Sequence, residues 1–457
     1  MNINAIFPGR KFVSSNKIEI KNLKNQLVAE MDIIPSVLVY KIRRNLLKSE
    51  SQNITSIAEC FKKARSIFLN DEVDDINYNE HIKNVHTVTG LPLETISKSM
   101  LKLADEFINL PKEILEEVPN GSGFIESKVG INRSKVYWVP KGKILSVIAP
   151  GNNPLVHRSW LEALASGYKI IIRPSNRDPF TPYRLIKSLL LAGLSEDMIA
   201  FIPGEHDITD AIVEAGDYSL IFGNNILVDK YKKLNNTILR GPGYSKLYLD
   251  STSQLSDDVV ENIIVKDVLK DGGAKCSNLS GIIYNSVKKF PVESAINKII
   301  NEDSCGWLDK QGKLPLFSLN TANNLYKFLK QLKQTGLENI RFSNLDDVII
   351  DLGDGICSIR PIVFKLSNLT EKFKNYELPF PTFWAYEIND DDIDMDFLKN
   401  TLYLDLISEN KMLKYKCLIE PSIKKIVTHF NECSILNSNL PHDGYMLEKL
   451  FFAKAII

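Results

Sequence analysis

The stretch Asp271-Gly272-Gly273-Ala274-Lys275-Cys276-Ser277-Asn278 sets a thiol just past a backbone that can bend where a Cβ would clash. A thiolate attacks carbonyl carbon, and a free thiol, with a pKa of about 8.5, supplies little thiolate at neutral pH. Lys275, or a helix starting just after Cys276, would raise that fraction. Taken alone, the octapeptide also fits a small buried cysteine turning a corner between domains. Cys60, Cys305, Cys357, Cys417 and Cys433 have no such setting and read as core fillers. The cysteines lack CxxC spacing and the six histidines lack HxxxH or HExxH spacing. Reduced thiols in a cytosolic protein are therefore expected, with no disulfide framework and no metal site.

The elements that must position this thiol follow from the pattern of apolar runs. Lys plus Arg equals Asp plus Glu at 56 each in 457 residues, so no basic excess points to nucleic acid or an anionic membrane. The start carries no secretory pattern, and no apolar run approaches a membrane span. Residues 1 to about 35 mix short β-like runs with turns, and Pro35 to about Leu69 and Leu91 to Ile108 read as helical. Residues 124–139 read as two extended segments around a polar turn, a hairpin. From Gly142 short apolar strands (144–149, 169–173, 199–202, 219–222) alternate with helices (155–166, 182–194, 208–215). That rhythm means a parallel sheet with crossover helices and ligands beyond the strands' carboxyl ends. Those ends are Pro150-Gly151-Asn152-Asn153-Pro154, Arg173-Pro174-Ser175-Asn176, Pro203-Gly204 and Phe222-Gly223-Asn224-Asn225. Gly, Asn and Ser there can offer donors to phosphates, although no GxGxxG is present. After Asp250 the alternation resumes around Cys276, as a second α/β domain, and Met446, Leu447, Leu450 and Phe451 form a last helical stripe.

The order of these motifs resembles the aldehyde dehydrogenase superfamily, and within it the acyl-CoA reductase branch of LuxC-type fatty-acid reductases. The superfamily's Pro-x-Asn-x-Pro turn is similar to 150–154, its Lys-Pro-Ser-Glu strand end to 173–176, and its nucleophile loop to Gly273-Ala274-Lys275-Cys276. Its Glu-x-Phe-Gly-Pro motif is similar to Glu377-Leu378-Pro379-Phe380-Pro381. The resemblance implies an aldehyde-dehydrogenase-like α/β fold. Its expected parts are a mainly helical N-terminal part of the cofactor domain (1–123), an oligomerisation hairpin (124–139) and a Rossmann-like NAD(P) domain (140–250). A catalytic domain with Cys276 (251–430) and a C-terminal segment (431–457) follow. It implies Cys276 as nucleophile and Asn152 as oxyanion donor. Arg173, Ser175, Asn176, Gly223 and Glu377 fall to the cofactor, with Glu377 on the nicotinamide ribose. His157 reads as a solvated or capping histidine, and His442 and Asp443 as closing a substrate tunnel.

Two departures sharpen this reading. Hydrolytic relatives carry a glutamate just before the strand that starts here at Lys246, and Ile238 to Ser245 contain no carboxylate. Without that base an acyl-cysteine would survive to exchange with a thiol or accept hydride. Asn176 stands where a glutamate usually meets the adenosine ribose, with Arg173 and Arg177 beside it, which favours NADPH. The resulting expectation is NADPH-dependent reduction of an acyl thioester to an aldehyde. A homodimer or homotetramer and an acyl-activating synthetase partner come with it. The alternatives are aldehyde oxidation to acid, a catalytically silent scaffold of the same fold, and reduction of an acyl phosphate.

Overall fold

The computed structural model describes residues 1–9, 12, 14–118, 122–124, 135–334, 338–339, 347–367, 376–389, 393–429 and 443–456. They cluster into two compact units. The first comprises Met1–Thr89, Ile96–Gly241 and Gly444–Ile457, and the second Gly90–Thr95 and Pro242–Asp443.

The first unit is built on five parallel strands: β1 (Ile144–Ile148), β2 (Lys169–Arg173), β3 (Ile199–Phe201), β4 (Tyr218–Phe222) and β5 (Thr237–Arg240). Their order is β5-β4-β1-β2-β3. Every residue of β1 and β2 is buried, the continuous apolar pattern of a sheet covered on both faces. Lys169 enters that interior because its ammonium donates to Leu46 O (2.6 Å) and to Ser49 O (2.8 Å). Chain order reverses between β1 and β4, so the crevice beyond their carboxyl ends is the place for a ligand.

Two sequence expectations change here, and a third falls mostly on residues outside those described. The helical run from Pro35 breaks into Ser36–Lys48 and Ile54–Asn70, because Asn53 accepts from Ser56 N–H and caps the second helix. Of the hairpin expected at 124–139, Lys135–Pro140 is a strand, and Ser122–Phe124 runs parallel to it. Its middle, 125–134, lies outside the described residues. The last stripe is helical only over Met446–Leu450; from Phe451 the chain is a strand, antiparallel to Lys135–Pro140.

The second unit holds a seven-stranded sheet of β6 (Ser245–Leu249), β7 (Leu279–Asn285), β8 (Glu338–Asn339), β9 (Ile362–Leu366), β10 (Thr382–Ile388), β11 (Thr401–Ile407) and β12 (Ile423–Val427). The order is β8-β9-β10-β7-β6-β11-β12, parallel except for β8. β6 belongs to this unit, whereas the sequence division had placed it before residue 251. Alternation along the strands separates two cores. Leu247, Leu249 and Ile407 face the helices Asp257–Leu269 and Lys289–Ile300, through Val260, Ile264, Val268 and Val292. Tyr248, Leu404 and Leu406 face the other way, with Ala322 and Leu329 of the helix Leu319–Gln334.

Candidate active site

In the first unit the expected cofactor residues gather beyond the carboxyl ends of the strands. The turn after β1 packs on the turn after β2: a Cβ on Gly151 would lie 2.7 Å from Ser175 Oγ and 2.9 Å from Arg177 Cβ, so only glycine allows this approach. Asn153, not Asn152, caps the short helix that follows, its Oδ1 accepting from Leu155 N–H (2.9 Å) and Ser99 Oγ–H (3.2 Å). Gly223 closes β4 with its N–H on Arg240 O, 3.1 Å, and a Cβ there would strike Leu227 at 2.5 Å. Asn176 Oδ1 is buried with no hydrogen-bond partner in the described structure, an acceptor that suits a ligand's donor.

Two expectations fail in this unit. Arg173 does not offer its charge to a phosphate. The side chain is buried, Nε donates to Glu205 O (3.1 Å) and Nη2 to Gly204 O (3.1 Å), pinning the loop after β3. Arg177 likewise donates to Thr89 O at 2.7 Å. Both arginines are committed to backbone carbonyls, so the charge argument for a 2′-phosphate loses its main support. His157 is neither solvated nor capping. It is 1% exposed, its Nδ1 accepts from the Trp160 indole (3.0 Å), and burial pushes its pKa down to about 3, so it is a neutral core histidine.

In the second unit the chemistry lies at the opposite, amino ends of the strands. Gly243-Tyr244 precedes β6, Cys276 precedes β7, Glu377 to Pro381 precede β10, and Leu402-Tyr403 open β11. These four strands are neighbours in the order β10-β7-β6-β11, so four distant sequence stretches meet along one rim.

The Cys276 loop is shaped by three successive left-handed residues, Asp271 (φ 56°), Gly272 (φ 68°) and Gly273 (φ 72°). A Cβ on Gly273 would lie 2.4 Å from Pro381 N, so the loop rests directly on the backbone of the Glu377 motif. On its other side, a Cβ on Gly243 would lie 1.9 Å from Cys276 O. Asn278 staples the loop: its Nδ2 donates to Lys270 O (2.7 Å) and its Oδ1 accepts from Lys275 N–H (2.9 Å). Ser245 Oγ–H donates to Cys276 O (2.8 Å) and its oxygen accepts Tyr403 N–H (3.3 Å).

The activators read from the sequence do not act as expected. Lys275 pairs with Asp271, 2.8 Å apart, which offsets its charge. Cys276 sits in a turn leading into β7, so no helix begins after it. The thiol itself is half-buried. Glu377 Oε1 accepts Tyr244 N–H at 2.5 Å. Burial lifts its carboxyl to about 7, against the opposing backbone N–H groups of Tyr244 and Gly243. Sequence reading missed Ser245 and Tyr403, and also the pair Asp405–His429, whose Oδ1 and Nε2 lie 3.2 Å apart. Only tertiary pairing of β6 with β11 sets Ser245 beside Tyr403, and no motif announces it. His442 lies outside the described residues; Asp443 ends the second unit. No group of three or more His, Cys, Asp or Glu among the described residues could hold a metal. No helix among the described residues is long and apolar enough to cross a membrane.

One unit is thus a doubly wound parallel sheet of order β5-β4-β1-β2-β3, and the other an α/β unit with Cys276 at the amino ends of its strands. The profile of the aldehyde dehydrogenase family matches residues 58–365, and the chain belongs to that family. Solved relatives share the fold at low identity. The aldehyde dehydrogenase KauB from Pseudomonas aeruginosa superposes with TM-score 0.79 at 14% identity, covering 99% of this chain and 95% of that one. The NAD+ complex of an aldehyde dehydrogenase from Bacillus cereus superposes with TM-score 0.76 at 14% identity, covering 99% and 96%. Among curated proteins, malonate-semialdehyde dehydrogenase of Halalkalibacterium halodurans is 23% identical over 184 residues, 38% of this chain and 37% of that protein. A fatty aldehyde dehydrogenase of Saccharomyces cerevisiae is 24% identical over 198 residues, 41% and 36%. The matched stretch thus spans just over a third of these curated relatives.

Proposed function

We propose that the chain is an NAD(P)-linked aldehyde dehydrogenase that oxidises an aldehyde through a Cys276 acyl-enzyme. The observation carrying this reading is the position of Cys276, held at the rim by backbone packing on Gly243 and by Ser245. The curated relatives, named for aldehyde oxidation, support the direction. The Cys276 sulfur adds to the carbonyl carbon; that carbon gives up a hydride, leaving a thioester; water then breaks the C–S bond and returns the thiol with an acid. NAD(P)+, when bound, is the hydride acceptor. Residues at the β1–β4 crevice fit it by the switch in strand order, the Gly151 approach and the Asn176 acceptor. Asn152 belongs with the proposal as an oxyanion donor, worth about 3 kcal/mol of transition-state stabilisation if so used. A homo-oligomer belongs with it too, read by light scattering.

A second reading, reduction of an acyl thioester to an aldehyde, is favoured by the turn Ile238 to Ser245, which carries no carboxylate of its own. Glu377 reaches that turn from far along the chain, but its oxygen accepts Tyr244 N–H there. An acyl-activating synthetase as acyl donor would go with this reading, and co-purification tests it. The deciding experiment offers aldehydes with NAD+ or NADP+, with and without coenzyme A, and acyl-CoA esters with NADH or NADPH. Wild type and Cys276→Ala run in parallel. Acid formed from aldehyde without added thiol supports oxidation. Aldehyde formed from acyl-CoA, and no acid from aldehyde, supports the second reading. Activity that survives Cys276→Ala refutes both.

A further inference from the structure

Neither activator suggested by the sequence serves Cys276: Lys275 is paired with Asp271 and no helix starts after the turn. The groups on the other elements of the same rim are therefore the ones to search. β11 runs parallel to β6 with Lys246 opposite Leu404, which sets Tyr403 beside Ser245. Leu404 and Leu406 point to one core and Ile407 to the other, so alternation puts Tyr403 and Asp405 on the face covered by the helix Asp257–Leu269. That helix runs straight on into the Cys276 loop. Tyr403 N–H and Cys276 C=O share the Ser245 hydroxyl, at 3.3 Å and 2.8 Å. Both side chains are half-buried, so both have a path to a ligand.

We propose that Tyr403 is a catalytic residue whose phenol O–H donates a hydrogen bond to the Cys276 sulfur, stabilising the thiolate that attacks the carbonyl. The proposal rests on Cys276 as nucleophile. No proton changes hands at the tyrosine: the thiol proton leaves to solvent and the phenol keeps its own. Burial first, and then the charge of Cys276 itself, lift the phenol to about 12, which makes it a donor across the working range and marks the two groups as electrostatic neighbours.

The surroundings hold the ring in place. Lys425, opposite Tyr403 on β12, places its ammonium 5.4 Å from the ring centroid. On the same face of β11, Asp405 is bonded to His429, and Asp267 of the covering helix pairs with Lys270 at 2.8 Å. Asp271–Lys275 is a further charged pair, on the loop that carries Cys276, while Glu387–Lys289 and Glu261–Lys298 lie farther along the same face. Lys425 is a positioning residue here, acting through the ring.

The test is Tyr403→Phe, which keeps the ring and removes the donor. Two readouts are taken on the full-length chain: the pH dependence of iodoacetamide alkylation of Cys276, measured by mass spectrometry, and steady-state turnover. Loss of one charge-assisted donor to a thiolate should slow alkylation near neutral pH about tenfold and move its rise to higher pH. Turnover should fall in parallel with an unchanged melting temperature. Lys425→Met should give a smaller shift in the same direction. An alkylation profile that is superimposable in wild type and Tyr403→Phe overturns the proposal, whatever happens to turnover. Failure of the reading beneath it has a different signature, turnover that persists in Cys276→Ala.

Discussion

Gly243→Ala adds one methyl group at the closest backbone approach in the site. The new Cβ would stand 1.9 Å from Cys276 O, 2.7 Å from Cys276 C and 3.0 Å from Cys276 Cβ. Carbon and oxygen meet comfortably no nearer than about 3.3 Å, so about 1.4 Å must be found by moving one backbone against another. No flexible side chain lies in the way to yield instead. The Cys276 loop cannot retreat freely, because a Cβ on Gly273 would already touch Pro381 N at 2.4 Å behind it and Asn278 staples it. Misplacing a reacting group by about 1 Å costs on the order of a hundredfold in rate, or about 2.7 kcal/mol. Gly243→Ala should therefore fold, bind cofactor, and lose at least about a hundredfold in turnover. Gly241→Ala is the control, since its Cβ would meet only Val228 Cγ2, at 3.3 Å. Activity is followed by cofactor absorbance near its reduced-state maximum, and folding by circular dichroism. A Gly243→Ala protein within about threefold of wild type would refute the tight packing of turn and nucleophile on which the site depends.

Three further outcomes follow from buried charged groups. Burial, then the charge of Glu162, lifts Glu117 to about 8, and burial lifts Glu106 to about 7. Between the unfolded value and these folded values the native state binds more protons, so stability is full below about pH 4.5 and is lost as pH rises through 7 to 8. Thermal melts should fall over that window, and Glu117→Gln should flatten the fall; an unchanged slope refutes it. Burial lifts Glu377 to about 7; were its carboxylate to hold ribose hydroxyls, as the family resemblance implies, cofactor affinity measured by fluorescence should tighten as pH rises through about 7. Glu377→Gln should lose that dependence, and a dependence that survives the substitution sinks the assignment. Arg173→Gln should lower the melting temperature by freeing Gly204 O and Glu205 O, yet leave the NAD+ to NADP+ preference within about twofold. A tenfold change in preference would show the guanidinium reading the 2′-phosphate after all.

Most of the parallel sheet of the first unit was legible because three of its five strands are fully buried and read as apolar runs between turn residues, whereas the half-buried edge strand Thr237–Arg240 gave no such run. Ile144–Ile148 and Lys169–Arg173 are two of the buried three. The bend of the loop before Cys276 was legible because glycines that take positive φ leave a mark in sequence. What stayed hidden is what pairing decides. Tyr403 is an ordinary strand residue until β11 lies against β6, and His157 is an ordinary polar residue until Trp160 and the core close over it. Arg173 and Lys275 misled for a common reason: a charge in a motif reveals nothing of the partner that offsets it, here Gly204 O and Glu205 O for the one and Asp271 for the other.

The rim of the second unit draws on residues 243 to 245, 272 to 278, 377 to 381 and 402 to 405, so its parts are far apart along the chain and adjacent only in the finished sheet. Contacts of such high sequence separation form late and slowly. During synthesis the Cys276 thiol must exist for more than a hundred residues before Tyr403 and the Glu377 motif emerge to enclose it. A chain truncated between Cys276 and β11 would keep the thiol and lack Tyr403, leaving it more open to oxidation. On the proposal that Tyr403 stabilises the Cys276 thiolate, a rise in the alkylation rate of Cys276 at neutral pH during refolding reports when β11 has docked against β6.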